Sequence, residues 1–247
     1  MRVIKIGGNE IDQPAFLEGL AEALTGATSL ALVHGGGKEI SVALEAQGLG
    51  FEFVAGMRVT DTAAMGVVEQ VLSGAINKRI VARLNAAGIP ALGLSGVDLA
   101  LIETEPLRPD GRDMGRVGQV VGVKHEVLRV LLAQGWLPVI SPVAIDRDDR
   151  RQTSVNADLA ALSIARALDA DELVFVSNVP GVLLDGVVTP EMDSAAVDSA
   201  VAAGTISGGM VPKVRSAIAA LETVRAVRIT DLAGLRAGGT RFVAGKD

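Results

Sequence analysis

Apolar residues run along this chain in two rhythms. Short β-branched clusters alternate with longer segments in which apolar positions recur every three or four residues. The clusters at 3–6, 29–33, 89–94, Leu137–Ser141, 172–177, 226–230 and 240–243 read as strands, and Pro14–Leu24, 39–46, 61–73, 77–85, 157–168 and 212–224 read as helices. Asp61 stands where an N-cap belongs, and Asp12 or Gln13 opens the first helix. Between the strands at 89–94 and Leu137–Ser141 lies a polar, Gly-rich excursion. Within it, 103–121 predicts an exposed β-hairpin turning at Pro109-Asp110-Gly111. Strand–helix alternation over the whole length predicts an α/β fold with a mostly parallel sheet and right-handed crossovers. A division near residue 168 gives two lobes, 1–168 and 169–247.

Composition narrows this picture. Aromatics are only 2% of the 247 residues, so the core must be built from Val, Leu, Ile and Ala, which suits strands covered on both faces. There is no Cys, which removes disulfides, thiolate metal sites and cysteine nucleophiles. Two histidines, His34 and His125, leave no material for a multi-histidine metal centre, and no metal site is expected. A net charge of -6 without a basic block argues against nucleic acid. No apolar run approaches a membrane span, and the chain opens directly into a strand without a signal peptide, so a cytoplasmic location is expected.

Three strands end in small or polar loops: Lys5-Ile6-Gly7-Gly8, His34-Gly35-Gly36-Gly37, and Ser177-Asn178-Val179-Pro180-Gly181. In open α/β sheets ligands sit beyond the carboxyl ends of strands, and consecutive glycines let backbone N–H groups approach an anion such as phosphate. Gly35 to Lys38 lacks the spacing of a P-loop, and no dinucleotide fingerprint is present. Lys5 ends an apolar strand, where it either snorkels to solvent or points into the crevice. Lys213 falls in the first turn of a helix, a place unfavourable to a cation unless an anion joins it. Arg58 could hold a carboxylate with two parallel hydrogen bonds or serve a surface ion pair. Asn156 and Asp158 precede a helix and suffice as caps. For His34 a role in supporting the Gly-rich turn is expected, for His125 a helix surface, and for Trp136 core packing.

Taken in order, KIGG at 5–8, HGGG at 34–37, GMRVTD at 56–61, VNAD at 155–158, SNVPGVL at 177–183 and SGGMVPK at 207–213 resemble the amino acid kinase family. Within it they are most similar to the branch that phosphorylates N-acetylglutamate for arginine biosynthesis. The resemblance spans nearly the whole chain. It implies an open three-layer αβα sandwich whose amino-terminal lobe binds the amino acid and dimerises, and whose carboxyl-terminal lobe binds nucleotide. It implies ATP and nucleotide-bound Mg²⁺, small-molecule substrates, and a homodimer insensitive to arginine, since the first strand begins at residue 2. Lys5 and Lys213 would stabilise the transferring phosphoryl group, with Asp158 organising both. Gly8, Gly36 and Gly37 would contact phosphoryl or substrate oxygens through their N–H groups, and Arg58 and Asn156 would bind the acylated amino acid. Asn178, Val179, Pro180, Gly181, Val182 and Leu183, with Thr205, Ile206 and Ser207, would border the nucleotide.

Ser154 departs from the Asn usual in the family. It keeps a hydrogen-bonding group on a shorter side chain, which leaves open a related kinase acting on carrier-protein-linked aminoadipate. A carboxylate acceptor is ionised near pH 7, so its phosphorylation needs no general base, in keeping with the scarcity of histidine. A ligand-sensing domain on the same sheet would be expected to lose Lys5, Lys213 or Asp158, and none is missing.

Overall fold

Strand β1 (Arg2–Ile6) sets the plan of the molecule, because its alternate side chains enter different layers. Val3 packs in one apolar core, whereas Ile4 and Ile6 pack in another. The structure, a computed structural model, describes residues 1–7, 11–54, 56–207 and 210–245. After β1 come α1 (Pro14–Leu24), β2 (Leu30–His34), α2 (Gly37–Ala46), the two-residue strands β3 (Phe53–Val54) and β4 (Met57–Arg58), and α3 (Thr62–Glu69). A π-helical turn, Gln70–Ile76, joins α3 to α4 (Asn77–Ala86). Then follow β5 (Ala91–Ser95), β6 (Ile102–Pro106), β7 (Gly118–Val123), α5 (His125–Ala133), β8 (Leu137–Ser141), β9 (Val143–Asp146), β10 (Gln152–Ser154) and α6 (Ala157–Ala167). The chain closes with β11 (Glu172–Val176), β12 (Leu183–Leu184), β13 (Val187–Val188), β14 (Glu191–Met192), α7 (Ser194–Ala202), α8 (Met210–Ala220), β15 (Val227–Thr230) and β16 (Thr240–Phe242).

Eight strands form the central sheet in the order β14-β16-β15-β11-β1-β2-β8-β5, parallel at every pairing except β15 with β16. Val3, Val33, Ile140 and Leu173 face α5, α6, α7 and α8 through Leu128, Ile164, Val197 and Val214. Ile4, Leu32, Val139 and Val174 face α1, α2, α3 and α4 through Leu20, Leu44, Val68 and Ile80. These are the three layers expected from the sequence. Residues 1–168 and 169–247 each supply four strands to this one sheet.

Three expectations need correction. The hairpin at 103–121 exists, as β6 and β7 with Pro109–Gly111 at its turn, but it is not a free excursion. It is half of a second sheet, β10-β9-β6-β7, that lies against α6, and Thr104 within it is fully buried. The helix anticipated to stop at 73 runs on through the π turn into α4, since Gly74 does not interrupt a helix whose neighbours Leu72 and Ile76 are packed. Trp136 is 46% exposed: it follows the positive-φ Gly135 that ends α5, and the inward positions of β8 begin one residue later.

Candidate active site

Lys5 shares the face of β1 with Val3, the face covered by α6. Its Nζ meets Asp158 Oδ1 at 2.8 Å, with the Lys5 side chain mostly covered and Asp158 half exposed. Asn156 caps α6, its Oδ1 accepting from the N–H groups of Asp158 and Leu159. Asp158 stands in the first turn of α6, where a carboxylate is favoured by the helix N-terminus. Capping uses the amide oxygen of Asn156 only, so its NH₂ group can turn toward a ligand.

Strand β2 ends beside β1, His34 level with Ile6. His34 is completely buried, and burial lowers its pKa to about 4, so the ring is neutral. Its Nδ1 lies 3.0 Å from the Gly35 carbonyl, which can only accept, so Nδ1 carries the proton. Nε2 then accepts from the Asn77 amide at 3.2 Å, and the same Asn77 nitrogen donates to the Val139 carbonyl. The histidine therefore ties the Gly-rich turn to the start of α4. Gly36 is buried at the N-terminus of α2, where a Cβ would come within 2.5 Å of Ile76 Cδ1 and 2.7 Å of Leu72 Cδ2.

Arg58, at the end of β4, reaches across to the same turn. Its Nη2 donates to the Gly37 carbonyl at 3.1 Å and to Ser41 Oγ at 2.7 Å. The guanidinium carbon lies 4.1 Å from the Phe51 ring centroid and 4.7 Å from that of Phe53. Nη1 is buried and makes no hydrogen bond among the described residues. Burial pulls the Arg58 pKa down from its ordinary value, and the charge of Glu45 opposes this.

A cleft of about 230 Å³ gathers Lys5, Gly36, Gly37, Arg58, Ser154 and Asn156 on its walls, so six of the residues singled out in the sequence share one space. Ile40, Val68, Leu72 and Val155 add an apolar side. Pockets that enclose drug-sized ligands run to roughly 300 Å³ and above, so this one suits a small metabolite.

A second group stands where β11 ends, next to β1. Lys213, exposed in the first turn of α8, donates from Nζ to Ser177 Oγ at 2.9 Å. Asp158 therefore contacts Lys5, and Lys213 is held by a hydroxyl instead. Asn178, Pro180, Leu183, Thr205 and Ser207 are exposed, and Val179 is partly so. Val182 and Ile206 are buried in the core, and the Val182 N–H donates to Thr240 Oγ1, so these two brace the loops from beneath. Gly181 has φ +148, and a Cβ there would meet Thr240 at 2.8 Å. Gly8 lies outside the described residues.

Phe51, Phe53, Ser41 and Asn77 escaped the sequence reading. The first two carried a signal: only five Phe occur in the chain, and two of them stand at alternate positions just before Arg58.

The sequence signature of the amino acid kinase family matches residues 1–231. The chain belongs to this family. An acetylglutamate kinase of Chloroflexus aurantiacus is 56% identical over 246 residues, covering 99% of this chain and 97% of that protein. A Streptococcus mutans protein of known structure shares 29% identity with a TM-score of 0.80 and covers 98% of both chains. An N-acetylglutamate synthase of Neisseria gonorrhoeae, solved with coenzyme A and N-acetyl-glutamate, superposes with a TM-score of 0.83 at 25% identity. That match covers 100% of this chain and 60% of the synthase. Family membership fixes the fold as that of the amino acid kinases and the reaction class as ATP-dependent phosphoryl transfer.

Proposed function

We propose that this amino acid kinase moves the γ-phosphate of ATP onto the side-chain carboxylate of N-acetyl-L-glutamate, giving N-acetyl-L-glutamyl 5-phosphate for arginine biosynthesis. One observation carries the choice of acceptor. The cleft presents two cations, Lys5 and Arg58, on a wall that also carries glycine N–H groups, the Asn156 amide, the Ser154 hydroxyl, the Phe53 ring and aliphatic side chains. A small diacid with an acylated nitrogen matches that inventory: one carboxylate for each cation, methylenes for Leu72 and Val68, and an amide for Asn156. The 56% identity to an acetylglutamate kinase over nearly both full lengths supports the same acceptor rather than a carrier-linked aminoadipate.

The roles divide by chemistry. The reacting carboxylate belongs near Lys5, because β1 and β11 end side by side and bring the Lys5 and Lys213 neighbourhoods together. The other carboxylate belongs to Arg58, whose buried Nη1 wants an acceptor. An acceptor already ionised at neutral pH needs orientation and charge cancellation only. Lys5, kept in place by Asp158, and Lys213 would supply positive charge as the carboxylate oxygen bonds to phosphorus and the bridging oxygen leaves with ADP. Gly36 and Gly37 offer N–H groups at the N-terminus of α2, Ser154 adds a hydroxyl, and residues 178–183 with 205–207 border the nucleotide.

Among the described residues no group of three or more acidic or histidine side chains could hold a metal. A Mg²⁺ carried by the nucleotide phosphates would offset their charge. We assign 1–168 to the amino acid and 169–247 to the nucleotide, and take the working unit to be a cytoplasmic homodimer. Among the described residues no helix is long and apolar enough to cross a membrane. ADP release across a panel of free, acylated and carrier-linked glutamate and aminoadipate tests the acceptor. N-acetylglutamate should give the highest kcat/KM, and a preference for the carrier-linked acid would overturn the assignment.

A further inference from the structure

The setting of Arg58 holds more than its own role requires. A guanidinium reads a carboxylate with its N–H edge, and its flat faces are weakly hydrated and stack well on aromatic rings. Phe51 and Phe53 stand edge to face, 5.9 Å apart at 88°, and form a corner into which the Arg58 guanidinium fits. Gly37 and Ser41 take Nη2, so the side chain is fixed at its face and at one nitrogen while Nη1 remains buried without a partner among the described residues.

Phe51 also packs against the core beneath α2, so core packing explains its presence. Core packing does not explain Phe53. It belongs to neither apolar core and is 57% exposed, in a chain with five Phe, one Trp and no Tyr. A phenyl ring left half in water on a two-residue strand gains little from burial; it lines the cleft, where it lies against the arginine and Phe51.

Resting on the assignment of Arg58 to the non-reacting carboxylate, we propose that Phe53, with Phe51, is a positioning residue that holds the Arg58 guanidinium ready for the acid before the acid arrives. Arginine is rotamer-rich, and ordering it in advance transfers that entropic cost from binding to folding.

The test is steady-state kinetics of Phe53→Leu and Phe53→Tyr, with thermal denaturation alongside. Phe53→Leu should raise KM for N-acetylglutamate about three- to tenfold, the scale of one lost cation–π contact. Its kcat, its KM for ATP and its Tm should stay near wild type, and Phe53→Tyr, which keeps the ring face, should restore the KM. An unchanged KM in Phe53→Leu overturns the proposal. So does a joint rise of both KM values with a fall in Tm, which marks a merely structural ring. Labelling of Arg58 by phenylglyoxal, followed by peptide mass, needs no substrate and should be faster in Phe53→Leu. If wild-type protein releases no ADP with N-acetylglutamate, the acceptor assignment fails by itself. Labelling then decides the positioning role: faster modification upholds it and equal rates overturn it.

Discussion

The two halves of the site are built differently. Around Arg58 and the Gly-rich turn, polar groups are fixed by several partners. His34 is hydrogen-bonded through both ring nitrogens, Gly36 is packed against Leu72 and Ile76, and Arg58 is held by two acceptors and two rings. The Lys213 ammonium is exposed and, among the described residues, meets one hydroxyl, and Asn178, Pro180, Thr205 and Ser207, proposed above to border the nucleotide, are exposed. A small acid offers few atoms, so a site that selects it must be ordered before it binds. A nucleotide brings its own large surface and charge, and can itself organise the groups that surround it. Substitutions in the first half should therefore appear as weakened acid binding, and those at Lys213 as lost turnover.

The largest effect should come from Lys213→Ala. Loss of a group that meets charge only as it develops lowers kcat by about 10²- to 10³-fold. ATP affinity, measured by calorimetry, should change little, and wild-type turnover in this variant would remove Lys213 from the chemistry. Arg58→Ala should behave in the opposite way. Losing a charge-assisted pair with a carboxylate corresponds to roughly 10- to 100-fold in KM for the acid. Its KM for ATP should stay put. If both variants changed the same kinetic constant, the contrast between the two halves would be lost.

Asp158→Asn probes the point where the halves meet. The ion pair with Lys5 joins a mostly covered ammonium to a half-exposed carboxylate, so its contribution to stability is at most about 1 kcal/mol. Its contribution to placing the ammonium is larger. With that anchor gone, kcat should fall about tenfold while Tm hardly moves. A large drop in Tm with normal kcat would make Asp158 a structural residue instead.

Much of this arrangement could be read from the chain. β2 is buried at all five positions and shows as four apolar residues running into His34, and Lys5 stood out because an interior strand gives a lysine no packing reason to be there. The loops after β1, β2 and β11 were legible because parallel strands place their carboxyl ends on one side. The second sheet was harder to see. β9 and β10 are short, and nothing local shows that Val143 to Asp146 pairs with β6 rather than continuing β8. Helix α7 is Ala- and Ser-rich with a single buried residue, Val197, so its periodicity carries almost no signal. The corner around Arg58 depends on Ser41, Phe51 and Phe53 meeting across two elements, and no one-dimensional pattern contains that meeting.

The last prediction concerns pH and the more rigid half. His34 is buried as the neutral ring, and its pKa falls from 6.5 to about 4 because burial disfavours the cation more than the Gly35 carbonyl favours it. Between those values the unfolded chain takes up a proton that the folded chain refuses. Stability is therefore flat above about pH 6.5 and declines as pH falls toward 4, by about 3 kcal/mol over the whole span. The hydrogen bonds agree with this effect of burial: a protonated Nε2 would point a donor at the Asn77 amide, which already uses that nitrogen to donate. His34→Gln removes the titration. The variant should be less stable than wild type at pH 7, yet lose less Tm between pH 7 and 5. Carboxylates contribute the same slope to both proteins and cancel in the difference. Parallel Tm curves would show that the ring beneath the Gly-rich turn does not govern its acid sensitivity.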